Sequence, residues 1–86
     1  MTTRLVPPSK RVLVAVSGGF DPVHVGHVRM IAEAANYGAV IVIANSDAWL
    51  MRKKGYIFMT WEERQEILYS FKGVADVLEA KDDDGS

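Results

Sequence analysis

The sequence predicts an α/β domain built on a doubly wound, mostly parallel sheet. Three short and mostly apolar runs, at 12–16, 40–44 and 74–78, have the length expected of strands. The stretches between these runs carry apolar residues with helical spacing. Alternation of strand and helix within one domain is typical of right-handed, Rossmann-like sheets, in which ligands bind beyond the carboxyl ends of the strands.

The first strand and the first helix follow from an unbroken apolar run and a periodic one. Val12–Val16 is dense in β-branched side chains, which predicts a strand buried on both faces. The strand is expected to end at Ser17-Gly18-Gly19, where glycine permits a tight turn. After Pro22 a helix begins, and its apolar stripe is expected to consist of Val28, Ile31, Ala32 and Ala35. Gly38 is the expected C-terminal cap of this helix.

The later helices are predicted from their cap signals. Asp47, which closely follows the second strand, is expected to cap a short helix. Thr60 and Glu63 have the spacing of a capping box, which predicts that a longer helix begins there. The apolar face of that helix is expected to hold Ile67, Leu68 and Phe71. Gly73 is expected to end the helix before the third strand.

Composition narrows the class of protein. The 86 residues are enough for one small domain, and 49% hydrophobic with 24% charged residues is ordinary for a globular chain. A net charge of −1 predicts neither a nucleic-acid-binding face nor a basic membrane anchor. The sequence has no cysteine, which excludes disulfides and thiolate zinc sites and agrees with a reducing cytoplasm.

The sequence divides into three parts. Residues 1–9 are predicted to be a flexible leader, residues 10–80 the α/β domain, and residues 81–86 an acidic tail or the start of a loop whose continuation is absent. The leader contains a single charge, Arg4, and no extended apolar stretch follows it, so we expect no secretory signal. The apolar run at 39–44 is too short to cross a bilayer. We therefore expect a cytoplasmic protein.

The segment 18–27, which reads Gly-Gly-Phe-Asp-Pro-Val-His-Val-Gly-His, is the most informative stretch. Its glycines let the backbone approach a phosphate, and free N–H groups at a helix start form an anion site. His24 and His27 are three residues apart, so both rings can project from one helix face and donate to phosphate oxygens. An isolated His-x-x-His is better explained by helix caps. The preceding strand, the glycine turn and the amphipathic helix favour a functional site here.

At these residues the sequence resembles the HIGH-motif nucleotidyltransferase superfamily, whose signature is G-[TS]-F-D-x-x-H-x-G-H. Four later segments resemble its cytidylyltransferase-like branch: Asn45-Ser46-Asp47, Lys53-Lys54-Gly55, Phe58-Met59-Thr60 and Glu62-Glu63-Arg64. That branch includes glycerol-3-phosphate and ethanolamine-phosphate cytidylyltransferases and heptose-phosphate adenylyltransferases. The resemblance runs from about Lys10 to Leu78 and implies the N-terminal half of the fold, with three strands and two main helices.

The resemblance implies a reaction in which a small phosphorylated substrate attacks the α-phosphate of CTP or ATP and pyrophosphate leaves. The catalytic residues that it implies are His24, His27 and Lys54. The implied nucleotide-binding residues are Gly18, Gly19, Phe20, Asp21, His24, Gly26, His27 and Lys53. Asp47 and Arg64 are the candidate substrate-binding residues; the alternatives are a helix cap for Asp47 and a structural ion pair for Arg64.

The resemblance also implies a cofactor and partners. Mg²⁺ is expected to arrive with the nucleoside triphosphate, and no residue is assigned as a dedicated metal ligand. The expected partners are the triphosphate, the phosphorylated substrate and a second copy of the chain in a homodimer; no nucleic acid and no membrane are expected. Trp49, Trp61 and Phe20 are interpreted as core or interface residues, with Phe20 buried beneath the glycine turn.

Three departures from the family pattern leave alternatives open. Gly19 stands where the family has a hydroxyl residue, and Lys72-Gly73 stands where some members have Arg-Tyr. The later strands and the Ser/Thr-rich or arginine-bearing motif of the family have no counterpart in these 86 residues. One alternative is a nicotinate or nicotinamide mononucleotide adenylyltransferase, which Pro22 favours. Another is a truncated, non-catalytic module for nucleotide binding or oligomerisation.

Overall fold

The computed structural model describes residues 12–81 and contains three parallel strands and three helices in a Rossmann-like α/β arrangement. In chain order the elements are β1 (Leu13–Gly18), α1 (Val25–Ala35), β2 (Ala39–Ala44), α2 (Asp47–Lys54), α3 (Trp61–Tyr69) and β3 (Val74–Glu79). The predicted fold class is confirmed. The predicted leader at 1–9 and the acidic residues 82–86 lie outside the described residues.

The sheet has the order β1-β2-β3, and both strand pairs are parallel. β1 and β2 pair in continuous register up to Gly18, which lies opposite Ala44. The pairing of β2 with β3 shifts register once, between Val40 and Ile41. Because β1 and β2 end opposite each other, the loops that follow them leave the same edge of the sheet side by side. This edge is where the sequence predicts the ligand site.

The hydrophobic core lies on the side of the sheet that the helices cover. The central strand β2 contributes Val40, Val42 and Ala44, each 0% exposed. Helix α1 adds Ile31 and helix α3 adds Leu68, which are 1% and 0% exposed. The two helices therefore attach to the sheet through one shared core, and the loops at the carboxyl edge are built on it.

The prediction that β1 is buried on both faces is wrong. Its side chains alternate between exposed and partly buried, with Leu13 66% exposed while Val14 and Val16 pack against the core. Within residues 12–81, β1 pairs along one edge only. Right-handed crossovers that step in one direction across a sheet place their helices on the same face, so the other face stays uncovered here. The β-branched run specifies a strand but not what covers it.

Helix α1 differs from its prediction in its buried stripe and in its C-cap. Ile31 and Ala34 are the buried positions, whereas Val28 is 44% exposed. The predicted stripe residue Ala32 is exposed as well, because the helix is rotated toward Ala34. Gly38 is not the cap.

The C-cap of α1 is Asn36, whose backbone N–H bonds the carbonyls of the last turn. Gly38 has a packing role instead. A Cβ built on Gly38 would meet the Val12 carbonyl oxygen at 2.3 Å, so the chain enters β2 too close to β1 for any side chain. The sequence suggested a cap because a glycine follows the helix. The structure shows that glycine is needed there because the backbone of Val12 lies too close for a side chain.

The cap of α2 was also assigned one residue too late. Ser46 is the N-cap and its Oγ accepts from the Trp49 N–H, while Asp47 is the first helical residue. The capping box of α3 is confirmed: Thr60 Oγ1 accepts from the Glu63 N–H, and the Glu63 carboxylate accepts from the Thr60 N–H.

Two glycines with positive φ allow a matched test of packing. Gly73 has φ of 95°, and a Cβ there would lie 2.7 Å from Ala35 Cβ. Gly55, the C-cap of α2, has φ of 83° and open space around it. We expect Gly73→Ala to destabilise the fold by about 1 kcal/mol more than Gly55→Ala. Alanine is strained by the positive φ at both positions, but only at position 73 does its Cβ also clash with Ala35. Urea unfolding of both variants measures the difference; equal losses would contradict it.

Candidate functional site

The site is built around the loop that joins β1 to α1. Phe20 lies in this loop with φ of 56°, a left-handed conformation that is unfavourable for a bulky residue. Its side chain is 2% exposed and packs with the core, as the sequence predicted, and its ring centroid lies 4.6 Å from that of His27. Burial of the ring therefore holds a strained backbone under the histidines. Strain of this kind occurs where a loop must keep one conformation.

The two histidines cap the helix that they begin. His24 is the N-cap of α1, and its Nδ1 accepts from the Gly26 N–H at 3.0 Å. His27, at the third helical position, reaches back, and its Nδ1 accepts from the His24 N–H at 3.1 Å. The rings stack with centroids 4.0 Å apart and an interplanar angle of 30°. As their spacing predicted, both rings lie together.

The capping bonds fix which nitrogen of each imidazole carries a proton. A backbone N–H can only donate, so each Nδ1 acts as the acceptor and is unprotonated. A neutral imidazole then carries its proton on Nε2. Both side chains line one cavity. His24 and His27 therefore have the right tautomer to donate Nε2–H to an anion. Their catalytic role stays a prediction.

Gly26 serves this geometry through the histidine ring. A Cβ at Gly26 would lie 2.8 Å from His24 Cε1 and 3.1 Å from His24 Nδ1. Any side chain would push the ring off the helix start and break the bond from the Gly26 N–H. The sequence analysis assigned the glycine to contact with the nucleotide. The structure shows a contact with His24 that the sequence did not predict.

The environment of His27 favours its neutral state. Burial, reinforced by the neighbouring His24, lowers the pKa of His27 below its ordinary value of 6.5. Protonation of Nδ1 would also remove the acceptor of the His24 N–H bond. His27 is therefore an uncharged donor at neutral pH.

This shift predicts a loss of stability in mild acid. The unfolded chain binds the His27 proton more readily than the folded chain, so the contribution is complete above pH 6.5 and declines as pH falls below it. We expect the free energy of unfolding of the wild type to fall as the pH is lowered through that range. The free energy of unfolding of the His27→Gln variant should fall less, because glutamine does not titrate. Urea unfolding at a series of pH values measures this, and parallel profiles for the two proteins would refute it.

Asp21 lies beneath the site, where it holds a lysine in place. Its side chain is 0% exposed, and its carboxylate accepts from Lys54 Nζ at 2.9 Å and from the N–H groups of Phe58 and Met59. Burial opposes ionisation of Asp21, but these bonds outweigh it and lower its pKa below 3.8. The carboxylate thus ties the segment after α2 to the loop after β1.

Lys54 keeps one donor for a ligand. Its Nζ donates to the Asp21 carboxylate and to the Asp21 carbonyl at 2.8 Å. An ammonium has three N–H donors, so one is left, and the side chain is 27% exposed. The rings of Tyr56 and Phe58 lie 4.9 and 5.4 Å from the same Nζ. The cation is therefore fixed at the cavity instead of moving freely in solvent.

Arg64 is fully buried and joins the loops of the site from below. Its guanidinium donates to the carbonyls of Gly19 at 2.8 Å, Asn45 at 2.6 Å and Met59 at 3.2 Å. It also pairs with the Asp47 carboxylate at 2.6 Å. The second oxygen of Asp47 accepts from the Trp61 N–H. Both predicted substrate-binding residues thus bond protein groups, and Arg64, at 0% exposure, lies beneath the surface of the site.

The cavity collects most of the predicted residues. Its volume is about 400 Å³, and it is lined by Gly19, Phe20, Asp21, Pro22, His24, His27, Trp49, Leu50, Lys53 and Lys54. Gly18, Gly26, Asp47 and Arg64 are not part of this lining. A second opening of about 480 Å³ has two glutamates and no basic residue in its lining, so it is unsuited to phosphate.

Two features of the cavity escaped the sequence analysis. Trp49 was interpreted as a core or interface residue, and it lines the cavity. The pairing of Asp21 with Lys54 joins residues 33 positions apart, which no local pattern reveals. The sequence analysis weighed helix caps as the alternative to a functional role of the histidines, and the structure shows that His24 and His27 cap the helix and also line the cavity.

A parallel α/β sheet carries an imidazole pair and a lysine at its carboxyl edge, and these residues line one cavity. The model of the cytidylyltransferase-like family matches residues 15–86, and the chain belongs to that family. Its motif resemblance, its fold and its sequence thus agree.

Individual proteins also show sequence similarity to this chain. The FAD synthase of Thermococcus onnurineus (strain NA1) is 31% identical over 70 residues, which cover 79% of this chain and 47% of that protein. The bifunctional protein HldE of Geobacter metallireducens is 48% identical over 44 residues, covering 50% of this chain and 9% of the relative. HldE of Aliarcobacter butzleri is 41% identical over 69 residues, covering 77% and 14%.

A solved structure shows the same fold. The lipopolysaccharide core biosynthesis protein from Thermoplasma volcanium GSS1 superposes with a TM-score of 0.73 at 24% identity, covering 86% of this chain and 62% of the other. The chain therefore spans about half of the FAD synthase, 47%, and 62% of the solved chain. In the part of the chain that the structure describes, no helix is long and apolar enough to cross a membrane.

Proposed function

We propose that this chain is the nucleotide-binding part of a nucleotidylyltransferase, which transfers CMP or AMP from CTP or ATP to a small phosphorylated metabolite. The observation that carries the proposal is the pair of stacked imidazoles, His24 and His27, each held with its Nδ1 as an acceptor and lining one cavity with Lys54. Membership of the cytidylyltransferase-like family supports it.

The proposed reaction needs positioned donors and no covalent nucleophile. A phosphate oxygen of the acceptor forms a bond to the α-phosphorus while the bond from that phosphorus to the bridging oxygen breaks, and pyrophosphate leaves with the electron pair. Negative charge grows on the oxygens around the α-phosphorus. The Nε2–H groups of His24 and His27 donate to those oxygens, and the remaining N–H of Lys54 donates to the departing phosphates.

Mg²⁺ is proposed to enter with the triphosphate. Among residues 12–81 no cluster of three or more histidine, aspartate or glutamate side chains could hold a metal ion. Asp21 and Asp47 are already bonded by Lys54 and Arg64. This donor set fits a cation that is held mainly by phosphate oxygens and water, as Mg²⁺ commonly is. When bound, the cation would neutralise part of the triphosphate charge.

The proposed acceptor is a small phosphorylated metabolite. The name of one relative, FAD synthase, favours an acceptor other than nicotinate or nicotinamide mononucleotide. The cytoplasmic location and the homodimer are predictions from the sequence, as is the expectation that neither nucleic acid nor membrane is a partner.

A non-catalytic, nucleotide-binding or oligomerisation module is the second candidate. The exposed face of β1, with Leu13 66% exposed, favours it, because an uncovered sheet face needs a partner surface. The matched region covers 47% of that FAD synthase, so the activity of the whole protein is a proposal. Binding without turnover distinguishes this candidate from the enzyme.

Thermal-shift titration with CTP and ATP, with and without Mg²⁺, tests the site first. We expect stabilisation by at least one triphosphate, because a ligand that binds only the folded state raises its stability. Pyrophosphate release with a panel of acceptors, including FMN, glycerol 3-phosphate and nicotinamide mononucleotide, then tests turnover. Lack of stabilisation by any triphosphate in a folded sample would rule out the site. Binding without pyrophosphate release from any acceptor would favour the module.

A further inference from the structure

Two aromatic rings are exposed beside the cation of the site. Tyr56 is 50% exposed and Phe58 is 64% exposed, and their ring centroids lie 5.1 Å apart in an edge-to-face pair. Both rings adjoin Lys54, whose Nζ lies 4.9 Å from the first centroid and 5.4 Å from the second. Ligand sites are commonly lined by aromatic side chains, so an exposed aromatic pair next to a cavity offers a ligand an apolar surface.

The aromatic pair lies where the two openings of the structure adjoin. Lys54 and Asp21 line the cavity that holds the histidines, and Phe58 lines the second opening. The Phe58 N–H donates to Asp21 Oδ2 at 2.9 Å, so the two openings adjoin at this hydrogen bond. The second opening has apolar surface from Met59 and Ile67, and its two glutamates can accept hydrogen bonds. Its lining suits an uncharged group with N–H donors, whereas the lining of the first cavity suits phosphate.

The backbone that carries the rings is tied to the site before any ligand binds. The Asp21 side chain is 0% exposed, and its carboxylate accepts from the Met59 N–H at 2.6 Å as well as from the Phe58 N–H. Gly55, the C-cap of α2, directs the chain into this segment with φ of 83°. Groups that are already positioned lose less conformational entropy on binding, so the rings are suited to stacking.

We infer that Tyr56 and Phe58 form a stacking platform for the planar heteroaromatic ring of a ligand whose phosphate is bound at Lys54. This inference rests on the proposed function, because the nucleoside triphosphate has such a ring and a phosphorylated acceptor can have one too. A sugar or sugar-alcohol chain joins ring and phosphate in these ligands, so the ring lies beside the cation while the phosphate contacts it. Stacking requires only a π face, so the platform selects ligands that have a ring.

Ligands with and without a ring separate stacking from phosphate binding. The double variant Tyr56→Leu with Phe58→Leu removes both π faces and keeps apolar side chains and Lys54. Isothermal titration of the 86-residue protein in Mg²⁺ measures binding of CTP, ATP and FMN, and of the ringless tripolyphosphate and glycerol 3-phosphate. We expect at least one ring-bearing ligand to bind about ten-fold more weakly to the variant, the scale of stacking of one base. The affinities of the ringless ligands are expected to stay unchanged.

The pattern of losses assigns the ring. Weaker binding of CTP or ATP alone assigns the platform to the nucleobase, and weaker binding of FMN alone assigns it to the acceptor. Losses for FMN and a triphosphate together show that the platform accepts either ring. In proton NMR, we expect the ring protons of the affected ligand to move upfield on binding to the wild type and to move less on binding to the leucine variant, because they lie over an aromatic face only in the wild type.

Two further variants are the controls. Tyr37 is 67% exposed and precedes β2 at the opposite edge of the sheet, so Tyr37→Leu removes an exposed ring far from the site and is expected to leave all affinities unchanged. Tyr56→Phe removes a hydroxyl and keeps the ring, so it is expected to bind like the wild type. A loss in Tyr56→Phe equal to that in the double variant would show that the hydroxyl, and not stacking, makes the contact.

The outcomes separate the inference from the function on which it rests. Measurable binding by the wild type with equal affinities of CTP, ATP and FMN in the leucine variant would overturn the inference and leave the proposed function standing. Equal weakening of ring-bearing and ringless ligands would do the same, because the rings would then only hold Lys54. Failure of the wild type to bind any of the five ligands would overturn both.

Discussion

Replacement of His24 by asparagine and His27 by glutamine is expected to lower pyrophosphate release by about a hundred-fold or more while the fold is retained. Each substitution removes an Nε2–H donor from the cavity. Loss of a single pre-organised donor at a developing oxyanion commonly costs that factor. The measurement is the rate of pyrophosphate release by a catalytically active form of the protein, supplied with CTP or ATP and with the acceptor that gives the highest rate.

The choice of amides follows from the double role of the histidines. Both Nδ1 atoms accept backbone N–H bonds at the start of α1. Asparagine is a favourable N-cap residue, and glutamine at the third helical position can reach back to the N-cap N–H. The amide variant therefore keeps the cap acceptors and replaces each ring Nε2–H by an amide NH2 in a different position. Alanine at both positions would lose cap and donors together.

The alanine variant is the control that separates the two roles. We expect His24→Ala with His27→Ala to show the same loss of turnover and an additional loss of stability of about 1 kcal/mol for each cap bond. Circular dichroism during urea unfolding measures that stability. If the amide variant and the alanine variant both turned over at the rate of the wild type, the histidines would be helix caps only, and the proposed mechanism would be wrong.

The sequence predicted the elements that depend on local signals. Strands were visible as apolar runs of strand length, and the capping box of Thr60 and Glu63 located the start of α3. The segment 18–27 identified the loop of the site because its glycines, its histidines and its position after a strand act together. These signals lie within about ten residues of one another, so a single stretch of sequence contains the physical reason for each.

The remaining features depend on tertiary contacts that leave no local trace. The prediction that β1 is buried on both faces was wrong, because the side of the sheet on which the helices pack decides which face is covered. The predicted role of Gly38 was wrong because its constraint comes from the carbonyl of Val12, the residue just before β1. The bonds of Asp21 to Lys54 and of Arg64 to Gly19 span 33 and 45 positions. Residue type alone predicts a charge at such positions and does not predict its partner.

Replacement of Arg64 by methionine is expected to cause the largest loss of stability of any substitution in the site, about 3 kcal/mol or more. The guanidinium is 0% exposed and donates to three backbone carbonyls and to the Asp47 carboxylate. Methionine fills similar space but leaves those acceptors unbonded, and unbonded buried acceptors are costly. The Asp47 side chain is 37% exposed, so water can replace part of the hydrogen bonding that Asp47 loses with Arg64. A small domain has little stability to spare.

A conservative variant and a surface variant show whether the bonds or the charge are responsible. Arg64→Lys keeps the charge but lacks the planar fork that reaches Gly19 and Asp47 together, so we expect it to recover only a fraction of the loss. Arg29→Met removes an arginine from the exposed face of α1 and is expected to change stability by less than about 0.5 kcal/mol. Urea unfolding of the three variants compares them. Equal effects of Arg64→Met and Arg29→Met would show that the buried guanidinium does not hold the loops together, and the cavity would then need another explanation for its fixed shape.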